Sequence, residues 1–525
     1  MAIVPCIVAQ CVLGSFYSTS VFNKTNDTQV WRSPGVNAQM FIACVASYGV
    51  GAALLGNWVQ RNGVFAAVSR SLLLTPMGWA AAGLAVRLRV QGLLYVYGVL
   101  HGLGCSLSYL STTSCLAQWY PESKGFMAGV AVFGAGLGSL IWTLLARSLL
   151  DPAGHARFDP ANVMYTFSAL FFLLLCVSLP LLRNPPPGWK PPTQGVETPR
   201  AICMRPKSAE ARLSAAPDRT YTFLTAVTTL DFALMALTVF ATSLPGVVFL
   251  SSAADMASNL FSLDGQQAAL VTGYLNAVNF GGRAAWGGVT DLIGRKSFFL
   301  LSSVLQTGAL VLMVFAIQAQ SFNLWLFSFL SIGSLYGGGF GVLPAILSEL
   351  FGSHISSATH GVCITMWALA CVIGTPVFSA VNAASMQAVE PGQVAHPSAA
   401  GYIKNATWLS FLPALAFVCV LLLNVRREDR IIATRTNSLR VRVGSLVFAA
   451  ACFGGEASAV GAIRVLGRAA QEAEYDEFGA RVQESIDAPP PHEGERAEDV
   501  AAGVFNDPGL VEWLSGRVDS YATLK

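Results

Sequence analysis

Charged residues are scarce in this chain. Asp, Glu, Lys and Arg make up 12% of its 525 residues, whereas 54% are hydrophobic. A soluble domain carries about 25% charged residues, so the composition excludes a soluble globular protein and predicts a polytopic protein of the lipid bilayer. The net charge of +3 indicates no particular class of partner, and we expect no nucleic-acid partner.

Paired cysteines and metal-ligand clusters are also missing from the sequence. The 11 cysteines are scattered, nearly all within apolar runs, where a thiol acts as a small buried side chain. No group of Cys and His has the spacing of a metal site. The run Gly337-Gly338-Gly339 lacks the Lys-Ser/Thr that follows a phosphate-binding loop. We therefore expect no metal, no cofactor and no enzymatic activity.

We also expect no cleavable signal peptide, because the N-terminus has neither a basic segment nor a small-residue cleavage site. Residues 1–22 are instead the first of several apolar runs, each of about 20 residues, as a membrane span requires. The runs predict an all-α polytopic membrane protein with twelve transmembrane helices in two six-helix halves. They lie near 1–22, 37–56, 66–86, 92–118, 125–147, 162–182, 220–250, 266–288, 297–318, 322–347, 358–381 and 402–424.

The runs divide the chain into segments of different character. Residues 1–182 form the N-terminal half, 183–219 a cytoplasmic linker rich in Pro and Arg, 220–424 the C-terminal half and 425–525 a cytoplasmic tail. Within the tail, 444–463 is moderately apolar and predicts a surface helix, while the acidic remainder predicts a largely disordered segment. Its Trp513-Leu514 pair is either a motif that docks a cytoplasmic protein or a chance apolar pair.

The distribution of Lys and Arg predicts the orientation in the membrane. One alternate set of loops holds most of the basic residues, and the positive-inside rule places these loops, both termini and the linker in the cytoplasm. Two glycosylation sequons, at Asn23 and Asn26, fall in the first outward loop and agree with this orientation. Either the plasma membrane or an organelle membrane fits this pattern.

An internal repeat relates the two halves. The sequence GNWVQRNG at 56–63 follows the second run, and GGVTDLIG at 287–294 follows the second run of the latter half. Both fit the pattern G-x-x-x-[Q/D]-x-x-G. Two halves related by such a repeat, with the substrate site between them at mid-membrane, are typical of secondary transporters.

The stretch 274–296 carries the strongest functional signal. Asn276, Asn279, Arg283 and Gly287 recur at spacings of three and four, so they share one face of a helix. A charge inside a span is costly and marks a functional site by default. The stripe therefore predicts a site for a small anion. The alternative is that Arg283 lies near the cytoplasmic end and extends its guanidinium to the lipid interface.

Polar residues in other predicted spans are further candidates. Asp231, well inside the predicted seventh span, is either a coupling residue that carries a proton or a carboxylate satisfied by helix packing. His101, in the fourth span, either titrates during transport or hydrogen-bonds between helices. Tyr17, in the first span, either lines the path as a hydrogen-bond donor or packs as an aromatic ring.

The turn at 287–296 resembles the signature loop of the major facilitator superfamily through Gly287, Asp291, Gly294, Arg295 and Lys296. More narrowly, the chain resembles the oxalate/formate antiporter and monocarboxylate transporter families over roughly residues 10–425. The shorter matches are WYPESKG at 119–125, the glycines Gly129, Gly134, Gly136 and Gly138, NPPPGW at 184–189 and YGGGF at 336–340. The glycines of the fifth span are expected to allow close helix approach.

The resemblance implies roles for particular residues. In those families an arginine of the eighth span engages the substrate carboxylate, and Arg283 occupies the matching position. A guanidinium pairs with a carboxylate through two bonds and stays charged at any working pH. The expected lining of the same path is Asn276, Asn279, Tyr17, Thr365 and Trp367. The expected inter-helix latch, made and broken during alternating access, consists of Gly287, Asp291, Gly294, Arg295 and Lys296.

Departures from the family patterns limit the class of substrate that we expect. Oxalate-type members have a lysine in the eleventh span, whereas 361–368 contains none and places Trp367 or a neighbour there. One cation facing the path indicates a monoanion. Proton-coupled members pair the arginine with an aspartate one turn earlier, where this chain has Asn279. Gln60 replaces the aspartate expected in the signature loop of the first half.

These observations predict a secondary active carrier of small monocarboxylates such as formate, lactate or pyruvate. It works by alternating access, either as an exchanger or as a symporter with protons as the coupling ion. Two alternatives stay open. One keeps the fold and changes the cargo to another anion, an amino acid or a sugar. The other is a transport-inactive sensor or scaffold that acts through its tail.

Overall fold

The computed structural model describes residues 2–22, 26–33, 36–150, 159–186, 221–385 and 399–424, together with the backbone of three strands between 438 and 466. The chain forms two compact units. The first comprises Met1–Pro191, Ala226–Ser348 and Ser353–Val420, and the second comprises Pro192–Thr225, Glu349–Gly352 and Leu421–Lys525. Most of the predicted linker, Asn23 and the acidic stretch with Trp513 lie outside the described residues.

The N-terminal half consists of five long helices, and short 3₁₀ turns extend some of them. These helices are α1 (Ile3–Leu13, continued as a 3₁₀ helix over Gly14–Phe22), α2 (Ala38–Leu88), α3 (Gly92–Trp119), α4 (Lys124–Leu150) and α5 (Pro160–Ser178, continued over Leu179–Leu181). A short π-helical segment, Asn26–Trp31, lies between α1 and α2. The 3₁₀ turn Pro121–Ser123 lies between α3 and α4.

The C-terminal half contains one short helix and six long ones. They are α6 (Phe223–Val227), α7 (Leu230–Phe261), α8 (Gly265–Ile293), α9 (Arg295–Gln318), α10 (Phe322–Phe351), α11 (Ser356–Ala383, after the 3₁₀ turn Ser353–Ile355) and α12 (Ala399–Leu422). The predicted seventh run, 220–250, is shifted from α7 by about ten residues at each end. The shift arises because Thr229 caps α7, its hydroxyl accepting a hydrogen bond from the backbone N–H of Phe232 at 3.1 Å.

Ten of the described helices are long and apolar enough to cross a membrane. One of them, α2, has 51 residues, more than twice the roughly 20 that one span requires. It is interrupted at Gly63 (φ 78°, ψ −179°), so it contains both the second and the third predicted spans. The 29-residue α8 is not among the ten, since its polar stripe lowers its hydropathy. The total of twelve spans stays a prediction.

Each half packs around a cluster of aromatic rings. In the N-terminal half the buried indole of Trp79 lies 5.2 Å from the ring of Phe167 and 5.3 Å from that of Tyr97. In the C-terminal half Phe249 lies 6.0 Å from Phe329. Such pairs contribute roughly 0.5–1.5 kcal/mol each beyond area burial. Apolar side chains such as Leu54 and Phe411 are more than two-thirds exposed, as lipid-facing residues would be.

The two halves meet along two pairs of helices. The N-terminal α4 packs against α8, and the N-terminal α2 packs against α11. Glycines make both approaches close: a methyl group at Gly129 would overlap the α8 backbone, and one at Gly361 would overlap the α2 backbone. The expectation that the glycines of the predicted fifth span allow close helix approach is therefore confirmed. Gly134 and Gly138 serve the same purpose against α1.

The second unit contains a small antiparallel sheet in the order β1 (Ser438–Val443), β2 (Leu446–Ala451) and β3 (Arg464–Leu466). Val443 pairs with Leu446 in the β1–β2 register, and Phe448 pairs with Val465 between β2 and β3. The prediction of a helix over 444–463 is therefore wrong for the residues of β2. The sequence SLRVRV alternates apolar and basic residues with a period of two, which is a strand signal.

Candidate functional site

The middle of α8 places a buried cation between the two halves. Arg283 is 4% exposed. Its Nη1 donates to the carbonyl oxygen of Val132 on α4 at 3.0 Å, and its Nη2 donates to Oδ1 of Asn279 at 3.2 Å. Asn279 in turn donates from Nδ2 to the carbonyl of Gly333 on α10 at 3.2 Å. The alternative in which Arg283 extends to the lipid interface does not hold in this structure.

The guanidinium keeps unused bonding capacity. Its Nε is buried and has no hydrogen-bond partner, and no carboxylate forms an ion pair with it among the residues that the structure describes. A guanidinium offers five N–H donors, and the two bonds to Val132 and Asn279 use only two of them. The site therefore presents a cation with open donors and no protein counter-ion in the described part of the chain.

Aromatic side chains from both halves surround this cation. The ring of Phe340 lies 5.3 Å from Cζ of Arg283, within cation–π range. Phe340 lies 5.8 Å from Trp367, whose Nε1 donates to the hydroxyl of Tyr336 at 2.8 Å. Trp367 also lies 5.5 Å from Tyr48 of the N-terminal half. We call this group the aromatic cluster; its members are Phe16, Tyr17, Tyr48, Tyr109, Tyr336, Phe340 and Trp367.

Tyr17 is the half-buried member of the cluster. It follows α1, lies 4.0 Å from the Phe16 ring and interacts electrostatically with Arg283. Its hydroxyl therefore lies near a guanidinium that is almost completely buried. Both interpretations of Tyr17 therefore describe part of its surroundings, since it packs against an aromatic ring and also faces the cation.

Glycines on α10 allow the aromatic cluster to close on α8. Gly337 and Gly341 face the α8 carbonyls of Asn279 and Arg283 so closely that an added methyl group would overlap them. Because α10 can approach α8 in this way, Tyr336 and Phe340 reach the guanidinium. The motif YGGGF at 336–340 thus supplies two aromatic rings as well as small residues, and the sequence analysis had weighed only the glycines.

Two predicted path residues form other contacts. Asn276 donates from Nδ2 to the carbonyl of Thr272 in its own helix at 3.0 Å, and no described contact joins it to Arg283. Thr365 donates to the carbonyl of Gly49 at 2.8 Å and so links α11 to α2 across the halves. Of the predicted lining, the structure therefore brings Asn279, Tyr17 and Trp367 to the surroundings of Arg283.

The structure places Asp231 at the start of a helix and not well inside one. Asp231 lies in the first turn of α7, because this helix begins at Leu230 and not near 220. An acidic side chain in a first turn is stabilised by the helix dipole. The part of Asp231 in proton coupling remains a prediction.

His101 lies inside the N-terminal half. It is completely buried, its Nε2 lies 3.3 Å from the hydroxyl of Ser15, and its ring stacks on Tyr97 at 5.3 Å. The interpretation as an inter-helix hydrogen-bonding group therefore describes it. Ligand atoms of Cys44, His101 and Cys105 also lie within 4.8 Å of one another. The sequence analysis found no such cluster, because Cys44 is on a different helix.

The end of α8 and the turn after it contact the start of α4, where the sequence predicts the latch. Both carboxylate oxygens of Asp291 accept backbone hydrogen bonds from the start of α4, from Gly125 at 3.3 Å and from Phe126 at 3.0 Å. Arg295 pairs with Asp291 at 2.9 Å. Gly287 and Gly125 face each other across this contact. A carboxylate from one half thus caps a helix of the other half, as helix N-termini favour.

The other two signature residues at this turn are Gly294 and Lys296. Gly294 has φ 88°, a conformation that favours glycine, and separates α8 from α9. Lys296 is half-buried in the first turn of α9. The structure therefore places all five signature residues at one junction, and their part in a transport cycle remains a prediction.

Gln60 occupies the position in the first half that corresponds to Asp291 in the internal repeat, and it forms a similar contact between the halves. Gln60 accepts a hydrogen bond from the backbone N–H of Ser357 on α11 at 2.9 Å and donates to the carbonyl of Ser353 at 3.4 Å. Gln60 therefore holds α11 as Asp291 holds α4, with a neutral amide in place of a carboxylate. We call the end of the bundle with Gln60, Lys124, Asp291 and Ser357 the latch end.

One glycosylation candidate is poorly placed. Asn26 is completely buried, and its Nδ2 donates to Oδ1 of Asn37 at 2.8 Å. A buried and bonded amide is not accessible to a glycan, so the structure argues against Asn26 as an acceptor.

The comparison with known proteins extends these observations. The model of the Major Facilitator Superfamily matches residues 7–375. The chain is 24% identical over 366 residues to the Uncharacterized MFS-type transporter YhjX of Escherichia coli, a match that covers 69% of this chain and 83% of that protein. It is 25% identical to the Apicoplast pyruvate carrier 1 of Toxoplasma gondii, a match that covers 51% of this chain and 55% of that protein. It is also 25% identical to the Oxalate:formate antiporter of Oxalobacter formigenes, a match that covers 58% of this chain and 66% of that protein.

Solved structures agree on the fold. The proton:xylose symporter XylE superposes with a TM-score of 0.59 at 16% identity, covering 80% of this chain and 94% of that one. FucP in the outward conformation superposes with a TM-score of 0.56 at 13% identity, covering 81% and 100%. Because the family model covers most of the chain and the fold agrees with it, this chain belongs to the major facilitator superfamily and is a multi-pass membrane transporter.

Proposed function

We propose that the chain is a secondary active carrier of small monocarboxylates of the formate, lactate and pyruvate class. One observation carries the proposal: the guanidinium of Arg283 is enclosed between the two halves, and no carboxylate pairs with it among the described residues. A buried cation without a counter-ion is unfavourable. An anionic substrate would supply that counter-ion. Relatives named for pyruvate and for oxalate and formate are consistent with this class.

The open donors fit a carboxylate group. Nε of Arg283 has no described partner, and each Nη uses one of its two N–H groups on Val132 or Asn279. A carboxylate can therefore take two parallel bonds from Nε and one Nη. We expect the hydroxyl of Tyr17, which interacts electrostatically with the guanidinium, to donate a third.

The aromatic cluster favours a short substrate. Phe340, Trp367 and Tyr48 follow one another at ring distances of 5.8 and 5.5 Å, which leaves little room between the rings. The cluster contains no second cation, so a dicarboxylate would keep one charge unpaired against aromatic walls. Burial of an unpaired charge is strongly unfavourable. We therefore favour a monoanion with one to three carbons.

Exchange is the favoured mode of the cycle. The carrier must pass through a state in which both ends are closed, and in that state an empty site leaves the guanidinium without a counter-ion. An unsatisfied charged donor costs about 3 kcal/mol, and each 1.4 kcal/mol is a factor of ten. The loaded carrier should therefore change conformation roughly a hundred times faster than the empty one.

The distribution of Lys and Arg predicts that the latch end faces the cytoplasm.

Counterflow in proteoliposomes tests the proposal. Vesicles that contain the purified full-length protein and unlabelled pyruvate are given labelled formate, lactate, pyruvate, oxalate, alanine or glucose. We expect monocarboxylates to accumulate and Arg283→Ala to reduce their exchange by about 100-fold, the loss of about 3 kcal/mol of charged hydrogen bonding. Efflux into buffer without substrate should be much slower than exchange.

Arg87 provides the matched control. It is more than half exposed and lies 4.0 Å from Asp159, so Arg87→Ala removes the same group without touching the site and should retain exchange. Normal exchange of monocarboxylates by Arg283→Ala would overturn the site assignment. Uptake of alanine or glucose alone by the native protein would overturn the substrate class.

A further inference from the structure

A cavity with several polar lining residues lies at the latch end of the bundle, apart from Arg283. Its volume is about 340 Å³, within the range of roughly 300–1,000 Å³ that small-molecule sites occupy. We call it the latch-end cavity. Both halves contribute to it: Gln118 and Lys124 come from the N-terminal half, and Ser348, Ser357 and His360 come from the C-terminal half.

Two of its buried lining residues each have a side-chain polar atom without a described hydrogen-bond partner. Ser357 and His360 are each 2% exposed. Neither the hydroxyl of Ser357 nor Nε2 of His360 has a hydrogen-bond partner among the described residues. The two residues lie three positions apart on α11 and so share one face. An unsatisfied buried polar group costs about 1–3 kcal/mol, and a ligand that reached these two atoms from the cavity would remove that cost.

The described residues that line the cavity include a single charged side chain. Lys124, the first residue of α4, is the one charged residue among the described lining residues, and they include neither Asp nor Glu. The 28-residue α11 begins beside the cavity at Ser356; its N-cap residue Ile355 provides no side-chain cap, and Gln60 accepts a hydrogen bond from the backbone N–H of Ser357. A helix N-terminus carries a partial positive charge and favours anions.

Tyr109 connects the latch-end cavity to the aromatic cluster. Its ring lies 5.2 Å from that of His360 and 5.8 Å from that of Tyr48. Its hydroxyl is also buried without a partner, and it interacts electrostatically with Arg283. A series of buried side-chain polar groups without hydrogen-bond partners among the described residues therefore connects the latch-end cavity to the guanidinium.

We propose that the latch-end cavity is a second anion-binding site, which holds a small monoanion between Lys124, Ser357 and His360. Lys124 supplies the charge, and the Ser357 hydroxyl and the His360 ring supply directional hydrogen bonds. An anion released from Arg283 passes Tyr109 and pauses here before it leaves. This route rests on the proposed carrier function, whereas the site itself depends only on the chemistry of its lining.

Lysine footprinting tests the site directly. Full-length protein in lipid nanodiscs is acetylated with an amine-reactive ester, and the modified lysines are located by mass spectrometry with and without pyruvate or nitrate. A ligand at ten times its Kd should slow acetylation of Lys124 by about tenfold. Lys404, exposed on α12, is the internal control and should react at an unchanged rate.

Variants separate this site from Arg283. We expect Arg283→Ala to keep the protection of Lys124, and the double variant S357A/H360Q to lose most of it while Lys404 still reacts normally. Failure of both pyruvate and nitrate to protect Lys124 in the native protein would overturn the proposal, as would loss of protection in Arg283→Ala. Protection in a protein that exchanges no carboxylate would support the site and contradict the proposed carrier function.

Discussion

The carboxylate of Asp291 offers the sharpest test of how the two halves are held together. It accepts two backbone hydrogen bonds from α4 and pairs with Arg295 at 2.9 Å. Asp291→Asn keeps one oxygen acceptor, but it removes the charge and turns an NH₂ group toward a second donor. Hydrogen bonds to a charged group contribute about 1.5–3 kcal/mol. The substitution should therefore cost the closed latch about 2–3 kcal/mol.

That loss changes a conformational equilibrium. Because 1.4 kcal/mol is a factor of ten, the population with the latch open should rise by about 30- to 100-fold while it remains the minor state. Ser348 lines the latch-end cavity, so Ser348→Cys reports opening through its rate of reaction with a membrane-impermeant maleimide. The described native cysteines are buried or half-buried, which limits background labelling.

Asp264 supplies the matched control. It caps its own helix, α8, by accepting from the backbone of Gln267 at 2.7 Å, and its contact does not cross between the halves. We expect Asp264→Asn to leave the labelling rate of the Ser348→Cys reporter unchanged and Asp291→Asn to raise it. Equal rates in Asp291→Asn and the native latch would refute the inference that this carboxylate keeps the latch end closed.

Two further predictions concern contacts between the halves. Gln60→Glu places a negative charge at the start of α11, where the Gln60 side chain accepts a hydrogen bond from the backbone N–H of Ser357. The charge should stabilise the closed latch by about 0.3–1 kcal/mol and slow labelling of the Ser348→Cys reporter about two- to fivefold. Faster labelling would contradict this prediction. Gly129→Ala overlaps the α8 backbone at Arg283 and should lower the melting temperature through about 1–3 kcal/mol of overpacking. Gly273→Ala has open space and should not lower the melting temperature; equal effects of both would contradict the close approach of α4 and α8.

The spans and the main cation could be predicted from the sequence because both depend on local pattern. A run such as 297–318 predicts α9 (Arg295–Gln318) almost to the residue, since a span must be long and apolar. The three- and four-residue spacing of Asn279 and Arg283 placed them on one face, and they share a hydrogen bond. A period of 3.6 residues is sufficient for such statements.

The surroundings of Arg283 could not be predicted in the same way. Val132, Tyr48 and Trp367 lie on three other helices, and the periodicity of one helix does not contain the positions of its neighbours. The position of Asp231 was misjudged because the start of α7 depends on the cap at Thr229, a signal of one residue inside an apolar run. The sheet in the tail was missed because the alternation at 438–443 was not weighed.

The measurement that tests the central claim most directly is equilibrium binding of labelled pyruvate to the purified protein in nanodiscs. The native protein, Arg283→Gln and the surface control Arg87→Gln are compared. If the enclosed guanidinium captures the carboxylate, Arg283→Gln should raise Kd by about 100-fold, while Arg87→Gln leaves it unchanged. The same Kd in all three proteins would contradict the account.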